Sequence, residues 1–531
     1  MGSWLKGARD WAISRNRFWG TPLPVWVCDN SRCSLDVMSS VKDLEEKVGK
    51  EFLDIHLDKL QGATYTCQEC SSGTRRPVGL VFDCWFESGA MPYAQRHYPF
   101  EGKEGLEDVF PADFVAEGLD QTRGWFYTLN VLSAALFDKP AFSNVVVNGV
   151  ILDERGKKMS KRHQNYTPPM DLIEKYGADS VRLYMLDSPL LKADDLIFED
   201  SGVRSIARKV LLPLWNAYAF LSTYAAADGW KPGLKDVAVS QKNLSKNRLD
   251  RWIVSRLQTL TDQVNVHMRE YRLYLVVPEV LRFIDELTNW HIRLSRRRFW
   301  GEDSGSNSSA GEEQVEAFST LYYVLFEFVK LLAPFAPFIS ESIYGLLADG
   351  VKGVPESVHL CPMPDLNPEV CDLGLEKEMV LVRRIINQGR HLRQKNSIKT
   401  RQILSQVTVV SSDKSHQEFV QRWSDLIVSE LNVKQVLFSS SELEHVSLVL
   451  LPNLKRLGRR LGPKLKGVRK ELDTMNSSSP QKLLGVMEAL SAGGLEVAGV
   501  KLTLEDIIVE KKAKELGKDK IPDKNIYNGA I

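Results

Sequence analysis

Residues 145–151 read Val-Val-Val-Asn-Gly-Val-Ile, a short β-branched apolar run that closes at a turn. Such a run is predicted to be a buried strand. Two helical stretches flank it. Residues 121–137 set Trp125, Leu129, Leu132 and Leu136 at helical spacing, and residues 170–186 do the same with Ile173, Val181, Leu183 and Met185. Helix, strand, loop and helix in that order predict an α/β layer whose ligands gather near the carboxyl end of the strand.

A chain of 531 residues is too long for one hydrophobic core, so about three or four domains are expected. The α/β texture runs to about residue 200. From 201 to 405 the pattern turns helical: Leu249, Ile253, Leu257, Leu260 and Val264 form one apolar stripe, with further helices expected near 280–294, 315–332 and 337–346. Each stripe needs a partner to bury against, which predicts a bundle. Residues 302–313 (EDSGSNSSAGEE) are polar and Gly/Ser-rich, and are expected to be a loop within it. Residues 406–531 change texture again. Strands at 406–410 and 446–451 and a helix at 418–431 predict a small α/β appendage, and the alternating charges of 510–524 predict a frayed tail. There is no internal repeat.

Hydrophobic residues make up 43% and charged residues 26%, a globular profile, and the net charge of +1 carries no global basic excess of the kind that coats DNA. Any nucleic-acid contact must come from local patches. No apolar run reaches the roughly 18 residues that span a bilayer, and the N-terminus lacks the features of a secretory signal or transit peptide. Seven cysteines, four of them in two short-spaced pairs, fit a reducing compartment with metal ligands better than a disulfide framework. The cytoplasm is the expected location.

Four groups of residues carry chemistry. Lys158-Met159-Ser160-Lys161-Arg162 follows Asp153-Glu154-Arg155-Gly156, and two lysines on a Gly-hinged loop suit a polyphosphate whose charge shifts during reaction. The same string also fits a solvated charge cluster. Glu117-Gly118-Leu119-Asp120-Gln121 precedes an apolar helix. Asp120 could cap that helix, Asp120 and Gln121 could bond a ribose, and Glu117 could pair with an ammonium group; a capped helix with surface charges is the plainer reading. Cys28, Cys33, Cys67 and Cys70 have spacings that close a tetrahedral zinc ribbon at about 21–80, with no open position for substrate. Free buried thiols are the alternative. Finally, Trp290, Arg293, Arg296 and Arg297 interleave cations with an aromatic ring, as an RNA-binding helix does, although a buried Trp290 beneath a charged face fits as well. Residues 455–470 carry eight cations in sixteen residues and read either as a solvated helix or as a phosphate-tracking surface.

Taken together these strings resemble the class I aminoacyl-tRNA synthetases. KMSKR, with Arg162 last, is similar to the KMSKS signature of that class. ISRNRFWGTPLPVW (13–26), DCWFESGAMPYA (83–94), EGLDQTRGWF (117–126) and KYGADSVRLYML (175–186) resemble the isoleucyl family in order and spacing. LAPFAPFISE (332–341) and GRHLRQKNSIKTRQIL (389–404) resemble its anticodon-binding domain. The resemblance implies a partial Rossmann-type catalytic domain (1–200) with the zinc-ribbon insert and the loop at 158–162. It further implies an all-α anticodon-binding bundle (201–405) and a small α/β C-terminal domain (406–531). Paired cysteines are absent from that last segment, which resembles the eukaryotic cytoplasmic type.

The implied reaction is isoleucine–tRNA ligation with ATP and Mg2+, tRNA(Ile) and isoleucine as partners, and structural Zn2+. Lys158 and Lys161 would neutralise the phosphate bridge as pyrophosphate leaves, with Met159 and Ser160 beside ATP. Glu117 would hold the amino group of the adenylate, while Gly118, Asp120 and Gln121 line its carbonyl and ribose. Trp290 and its arginines would meet tRNA. Resemblance to animal enzymes implies association with other synthetases.

None of the nine histidines sits in an HxGH or HxGN string, and no editing insert precedes residues 13–26. The chain is therefore expected to correspond to the C-terminal portion of such an enzyme and not to activate isoleucine alone. The alternatives are a non-catalytic tRNA-binding module or fragment, and a valyl-type synthetase. An unrelated zinc-ribbon scaffold would need every string above to be coincidence.

Overall fold

The computed structural model of the chain describes residues 2, 6–160, 162, 165–301, 310–441, 446–477, 480–491 and 494–513. Two compact units interleave along the sequence: Met1–Asn243 with Leu257–Pro368, and Leu244–Arg256 with Glu369–Ile531.

The first unit opens on a four-stranded antiparallel sheet made of β1 (Val25–Cys28), β2 (Asp36–Val37), β3 (Tyr65–Thr66) and β4 (Thr74–Pro77), in spatial order β2-β1-β4-β3. Its small core is built on Trp26, whose indole N–H donates to the Ala63 carbonyl at 2.7 Å. Helix α1 (Val41–Val48) covers it, started by the Ser40 side chain accepting from Asp43 N–H and stopped by Gly49 at φ 73°.

Helices α2 (Cys84–Ala94) and α3 (Trp125–Phe137) pack closely because Gly89 lacks a side chain; a Cβ there would lie 3.0 Å from Leu132 Cδ1. Strands β5 (Ala112–Gly118) and β6 (Phe142–Asn148) run parallel, with Phe126, Leu129 and Phe142 in the core beside them. A second parallel pair joins β7 (Ile151–Leu152) to β8 (Leu196–Ile197). The expected single strand at 145–151 is thus two strands. Gly149 forms the break, where a Cβ would sit 1.8 Å from the Asp194 carbonyl oxygen. Among the described residues the parallel sheets have two strands each, and Phe114 and Val145 are 50% and 38% exposed.

The helix expected at 170–186 is also two, α4 (Pro169–Tyr176) and α5 (Ala178–Leu186), because Gly177 takes φ 83° between them. Beyond β8 the unit is helical. It contains α6 (Asp200–Ile206), a π-turn at Ala207–Leu211 and α7 (Leu212–Ala227), followed by α8 (Arg248–Arg269), whose first turns belong to the second unit. Next come α9 (Leu273–Asp285), a π segment at Glu286–Ile292, α10 (Arg293–Phe299), α11 (Ala310–Leu332) and α12 (Pro337–Ala348). Residues 310–313 of the expected loop are already helix α11; residues 302–309 lie outside the described residues.

The second unit is organised by α13 (Leu373–Lys395). Buried Arg393 on it donates to the carbonyls of Lys399, Gln402, Leu431 and Asn432, which ties down the following loop. Strand β9 (Val407–Val410), α14 (Ser415–Arg422), α15 (Ser424–Leu431) and β10 (Val436–Ser439) then form a parallel βαβ layer. Strand β11 (Val446–Pro452), α16 (Leu454–Leu461), α17 (Leu465–Asn476) and α18 (Pro480–Ser491) enclose a second core with Leu450, Leu457, Val468 and Leu472. A strand at Ile507–Ala513 pairs antiparallel with β11, so residues 510–513 are held in a ladder, not frayed as expected. Residues 514–531 lie outside the described residues.

Candidate functional site

Strands β5 and β6 end side by side, with Glu117 opposite Val147 and Gly118 opposite Asn148. The chain then turns sharply through a 3-10 segment at Leu119–Arg123. A Cβ on Gly118 would lie 2.7 Å from Asp120 Oδ1, so any other residue there would push the exposed Asp120 side chain aside. The sequence suggested Asp120 as the cap of α3. In the structure Gln121 does this work, its Oε1 accepting from Trp125 N–H at 2.9 Å, while Glu117 and Asp120 stand exposed with no hydrogen bond or ion pair among the described residues.

From β6 the chain passes through β7 into the lysine loop. Asp153, which the sequence reading quoted in the motif but gave no role, organises it. One carboxylate oxygen accepts from Arg155 N–H at 3.0 Å and Lys157 N–H at 2.7 Å, and the other from Asn165 Nδ2 at 2.8 Å. Asn165 in turn accepts from Ser160 N–H at 3.0 Å. The available signal was an Asp followed by Gly156 three residues on, the pattern of a side-chain-closed turn. Lys158 is exposed and bridges Leu152 through its backbone; Lys161 lies outside the described residues. Neighbouring strands lie about 5 Å apart and a chain extends at most about 3.6 Å per residue, so Lys158 Cα is within roughly 25 Å of Gly118 Cα. Met159, Asp153, Asn165, Thr167, Phe198 and Asp200 line a cleft of about 520 Å³ beside the loop.

The donors around Asp153, Asn165 first among them, hold its carboxyl below the ordinary aspartate value. An acid with a depressed pKa stabilises its surroundings above the ordinary value near pH 4 and loses that effect as pH falls through the depressed one. The amide resonances of Arg155 and Lys157 are expected to stay fixed from neutral pH down to about pH 4 and to move together below it. In Asp153→Ala both amides exchange with solvent at least about tenfold faster at neutral pH.

The four cysteines come together. Cys28 ends β1, Cys33 follows in the next turn, and Cys67 and Cys70 flank the β3–β4 turn; all four sulfurs lie within 4.8 Å of one another. Cys28 Sγ and Cys70 Sγ are 3.8 Å apart, the edge of a tetrahedron whose metal–sulfur distance is about 2.3 Å. Gly73 leaves the room they need, since a Cβ would stand 2.5 Å from Cys28 Sγ and 3.0 Å from Cys70 Sγ. Backbone N–H groups, Ser72 first, pull the Cys70 thiol down to about 6, and Cys67 is lowered by the N–H of Cys70, whereas desolvation raises Cys28 and Cys33. Buried Arg75, which the sequence did not single out, donates to the Ser34 carbonyl and to Glu69. Glu69 also accepts from Ser34 N–H, so the two cysteine turns are braced together next to a positive charge. The donor set and spacing fit a thiolate-bound zinc ion.

The strings 175–186 and 332–341, separate in the sequence, meet in the structure. Asp179 on α5, 4% exposed, accepts from Ile339 N–H at 2.7 Å and Phe338 N–H at 3.4 Å, capping α12 from outside, and Arg182 donates to the carbonyls of Pro334 and Phe335. Asp179→Ala leaves the first turn of α12 without its acceptor. It is expected to cost about 1–2 kcal/mol in urea unfolding, with Asp179→Asn milder.

Trp290 requires a correction. The residue is 4% exposed inside the π segment, with Leu287, His291 and Ile292 of the same segment also buried, and so its ring is closed to a nucleobase. Arg293 stacks over it at 5.8 Å; only Arg296 and Arg297 of the predicted group point to solvent.

A half-sheet ending in an acidic turn, a braced lysine loop and a helical bundle define the class. Residues 1–196 match the family of tRNA synthetases class I (I, L, M and V), and residues 250–408 match the anticodon-binding domain of tRNA ligase. The chain is 46% identical over 515 residues to "Isoleucine--tRNA ligase" of Protochlamydia amoebophila (strain UWE25), covering 97% of this chain and 48% of that protein. It is 45% identical over 518 residues to the ligase of the same name from Chlamydia trachomatis serovar D, with the same coverage. Along almost its whole length the chain is similar to the isoleucyl-tRNA synthetases of class I. It spans about half the length of the curated relatives it matches. These relatives are bacterial and lend no support to the eukaryotic type expected from the sequence. The Agrobacterium radiobacter K84 LeuRS-tRNA-LeuAMS complex shares the fold, with TM-score 0.51 at 20% identity over 68% of this chain and 43% of that one. No helix among the described residues is long and apolar enough to cross a membrane.

Proposed function

We propose that the chain serves ATP-dependent activation of isoleucine and its transfer to tRNA(Ile). What supports this most is the parallel register of β5 and β6, whose adjacent ends lead into the acidic turn and, ten residues on, into the lysine loop. In this reading the isoleucine carboxylate attacks the α-phosphorus of Mg2+-bound ATP, and Lys158 with Lys161 neutralises the departing pyrophosphate. Met159 and Ser160 border the nucleotide. Glu117 pairs with the substrate ammonium, and Gly118, Asp120 and Gln121 line the adenylate; with its oxygen already accepting from Trp125, Gln121 keeps both amide hydrogens to donate. The tRNA 2′-hydroxyl then attacks the adenylate carbonyl carbon, forming the aminoacyl ester and losing its proton as AMP leaves. No covalent enzyme intermediate arises, so catalysis is positioning and charge stabilisation. Hydrophobic pockets separate isoleucine from valine by only about 150-fold, the discrimination already established for this enzyme family, so fidelity needs editing elsewhere.

Cys28, Cys33, Cys67 and Cys70 would hold a structural zinc ion that closes the ribbon at about 21–80. Residues 201–405 would form the anticodon-binding body and 406–531 an appended α/β domain, working in the cytoplasm and, in an animal-type enzyme, beside other synthetases. The eukaryotic subdivision rests on the absence of paired cysteines from the C-terminal segment. A tRNA-binding module without catalysis is a second reading, favoured by the two-stranded sheet with exposed Phe114 and Val145.

Isoleucine-dependent ATP–pyrophosphate exchange and a gel shift with tRNA(Ile) test both. Exchange with binding supports the ligase, binding alone supports the module, and exchange with valine in place of isoleucine supports the valyl alternative. Neither binding nor exchange overturns all three.

A further inference from the structure

The turn that opens the lysine loop closes without help from outside. Asp153 N–H donates to the Lys157 carbonyl and Gly156 N–H to the Asp153 carbonyl, each at 2.8 Å, while the Asp153 carboxylate takes the amides of Arg155 and Lys157. Gly156 supplies the φ of 73° at the corner. Asn165 is superfluous to that closure, yet from the far side of the loop its carboxamide makes three hydrogen bonds. Nδ2 donates to Asp153 Oδ2 at 2.8 Å and to the Lys158 carbonyl at 3.4 Å, and Oδ1 accepts from Ser160 N–H at 3.0 Å. The last two lie on either side of Met159, so one side chain fixes the backbone that leads from Lys158 towards Lys161.

Both ends of this arrangement are anchored. Lys158 is held a second time by its antiparallel bridge to Leu152, and Thr167 Oγ1 donates to Asp200 Oδ2 at 2.9 Å just beyond Asn165. The Lys158 side chain, by contrast, is exposed and makes no hydrogen bond or ion pair among the described residues. A fixed backbone thus carries an uncommitted cation. Ordering a free loop when a ligand arrives subtracts from affinity, and a loop already fixed avoids that loss.

We propose that Asn165 is a positioning residue, which presets the lysine loop for a polyphosphate by carrying the order of the Asp153 turn to the backbone around Met159. The inference rests on the lysine-loop reading above and adds to it a residue outside the KMSKR string. Asn165 touches no substrate; it acts through Lys158 and Ser160. The test is calorimetric binding of sodium pyrophosphate to the full chain, with exchange of the Ser160 amide measured on the same protein without ligand. Asn165→Ala should bind pyrophosphate roughly tenfold more weakly and exchange that amide at least about tenfold faster. Lys158→Ala should also bind more weakly but exchange at the wild-type rate, which separates a lost cation from lost positioning. Asp153→Asn sets two amide groups donor to donor, and Asn165→Asp sets two carboxylates face to face, so each alone breaks the pair. Asp153→Asn/Asn165→Asp restores one donor, one acceptor and the net charge, losing only the 3.4 Å contact to the Lys158 carbonyl. It should bind at least about threefold more tightly than either single variant. Thermal midpoints should match the wild type throughout. Wild-type pyrophosphate affinity in Asn165→Ala, whatever its exchange rate, overturns the proposal and leaves the lysine-loop reading standing. A wild-type chain that binds no pyrophosphate overturns both.

Discussion

Trp290→Ala is expected to destabilise the helical body by about 3–5 kcal/mol while leaving the RNA affinity of the folded variant unchanged. The ring is 4% exposed, flanked by Leu287, His291 and Ile292 of its own π segment, all buried. Burying a tryptophan removes about 150–250 Å² from water, worth roughly 4–6 kcal/mol at 25 cal/mol per Å², and truncation leaves a cavity that a packed bundle cannot collapse. A base-stacking tryptophan would behave in the opposite way, losing about 1–3 kcal/mol of RNA binding at nearly constant stability. Urea midpoints and gel shifts on the same protein separate the two. Arg296→Ala, on the exposed face, should shift stability by no more than about 0.5 kcal/mol. An unchanged urea midpoint with lost RNA binding would return Trp290 to the RNA surface.

The Trp290 case shows where sequence reading stops. Spacing identifies an aromatic ring among arginines but not which side of the helix turns inward. Here a π segment shifts the register just where the decision falls. Elements defined by strong local chemistry were legible: the β-branched run, the apolar stripe of α8, and the cysteine pairs. Breaks within them were not, because Gly149 and Gly177 act through a close backbone contact and a positive φ that periodicity does not register. Lys158 and the acidic turn stood out as charges. The residues that shape their surroundings, Asp153, Asn165 and Gln121 as a cap, act through backbone amides and leave only a faint trace in spacing. Asp179 and Ile339 lie 160 residues apart, a pairing that no single-sequence pattern contains.

Purified chain is expected to carry one zinc ion, and its removal should open the ribbon and lower that segment's unfolding midpoint by more than about 10 °C. The core beneath the sheet is small, with Trp26, Met38, Leu44, Phe52, Leu60 and Ala63 as its buried members, so it depends on a further tie between the two cysteine turns. Four sulfurs within 4.8 Å of one another would provide it by holding a zinc ion, with Arg75 offsetting the negative charge of the thiolates. The most telling variant touches no ligand. Gly73→Ala would drive a methyl group to within 2.5 Å of Cys28 Sγ and 2.6 Å of Asp29 Oδ1, so the sulfur must leave its corner. Zinc affinity should fall by about tenfold to a hundredfold although all four cysteines remain. Metal content, free-thiol titration and the unfolding midpoint with and without chelator read the effect directly. A metal-free protein with four titratable thiols and a midpoint indifferent to chelator would mean that packing alone closes the ribbon.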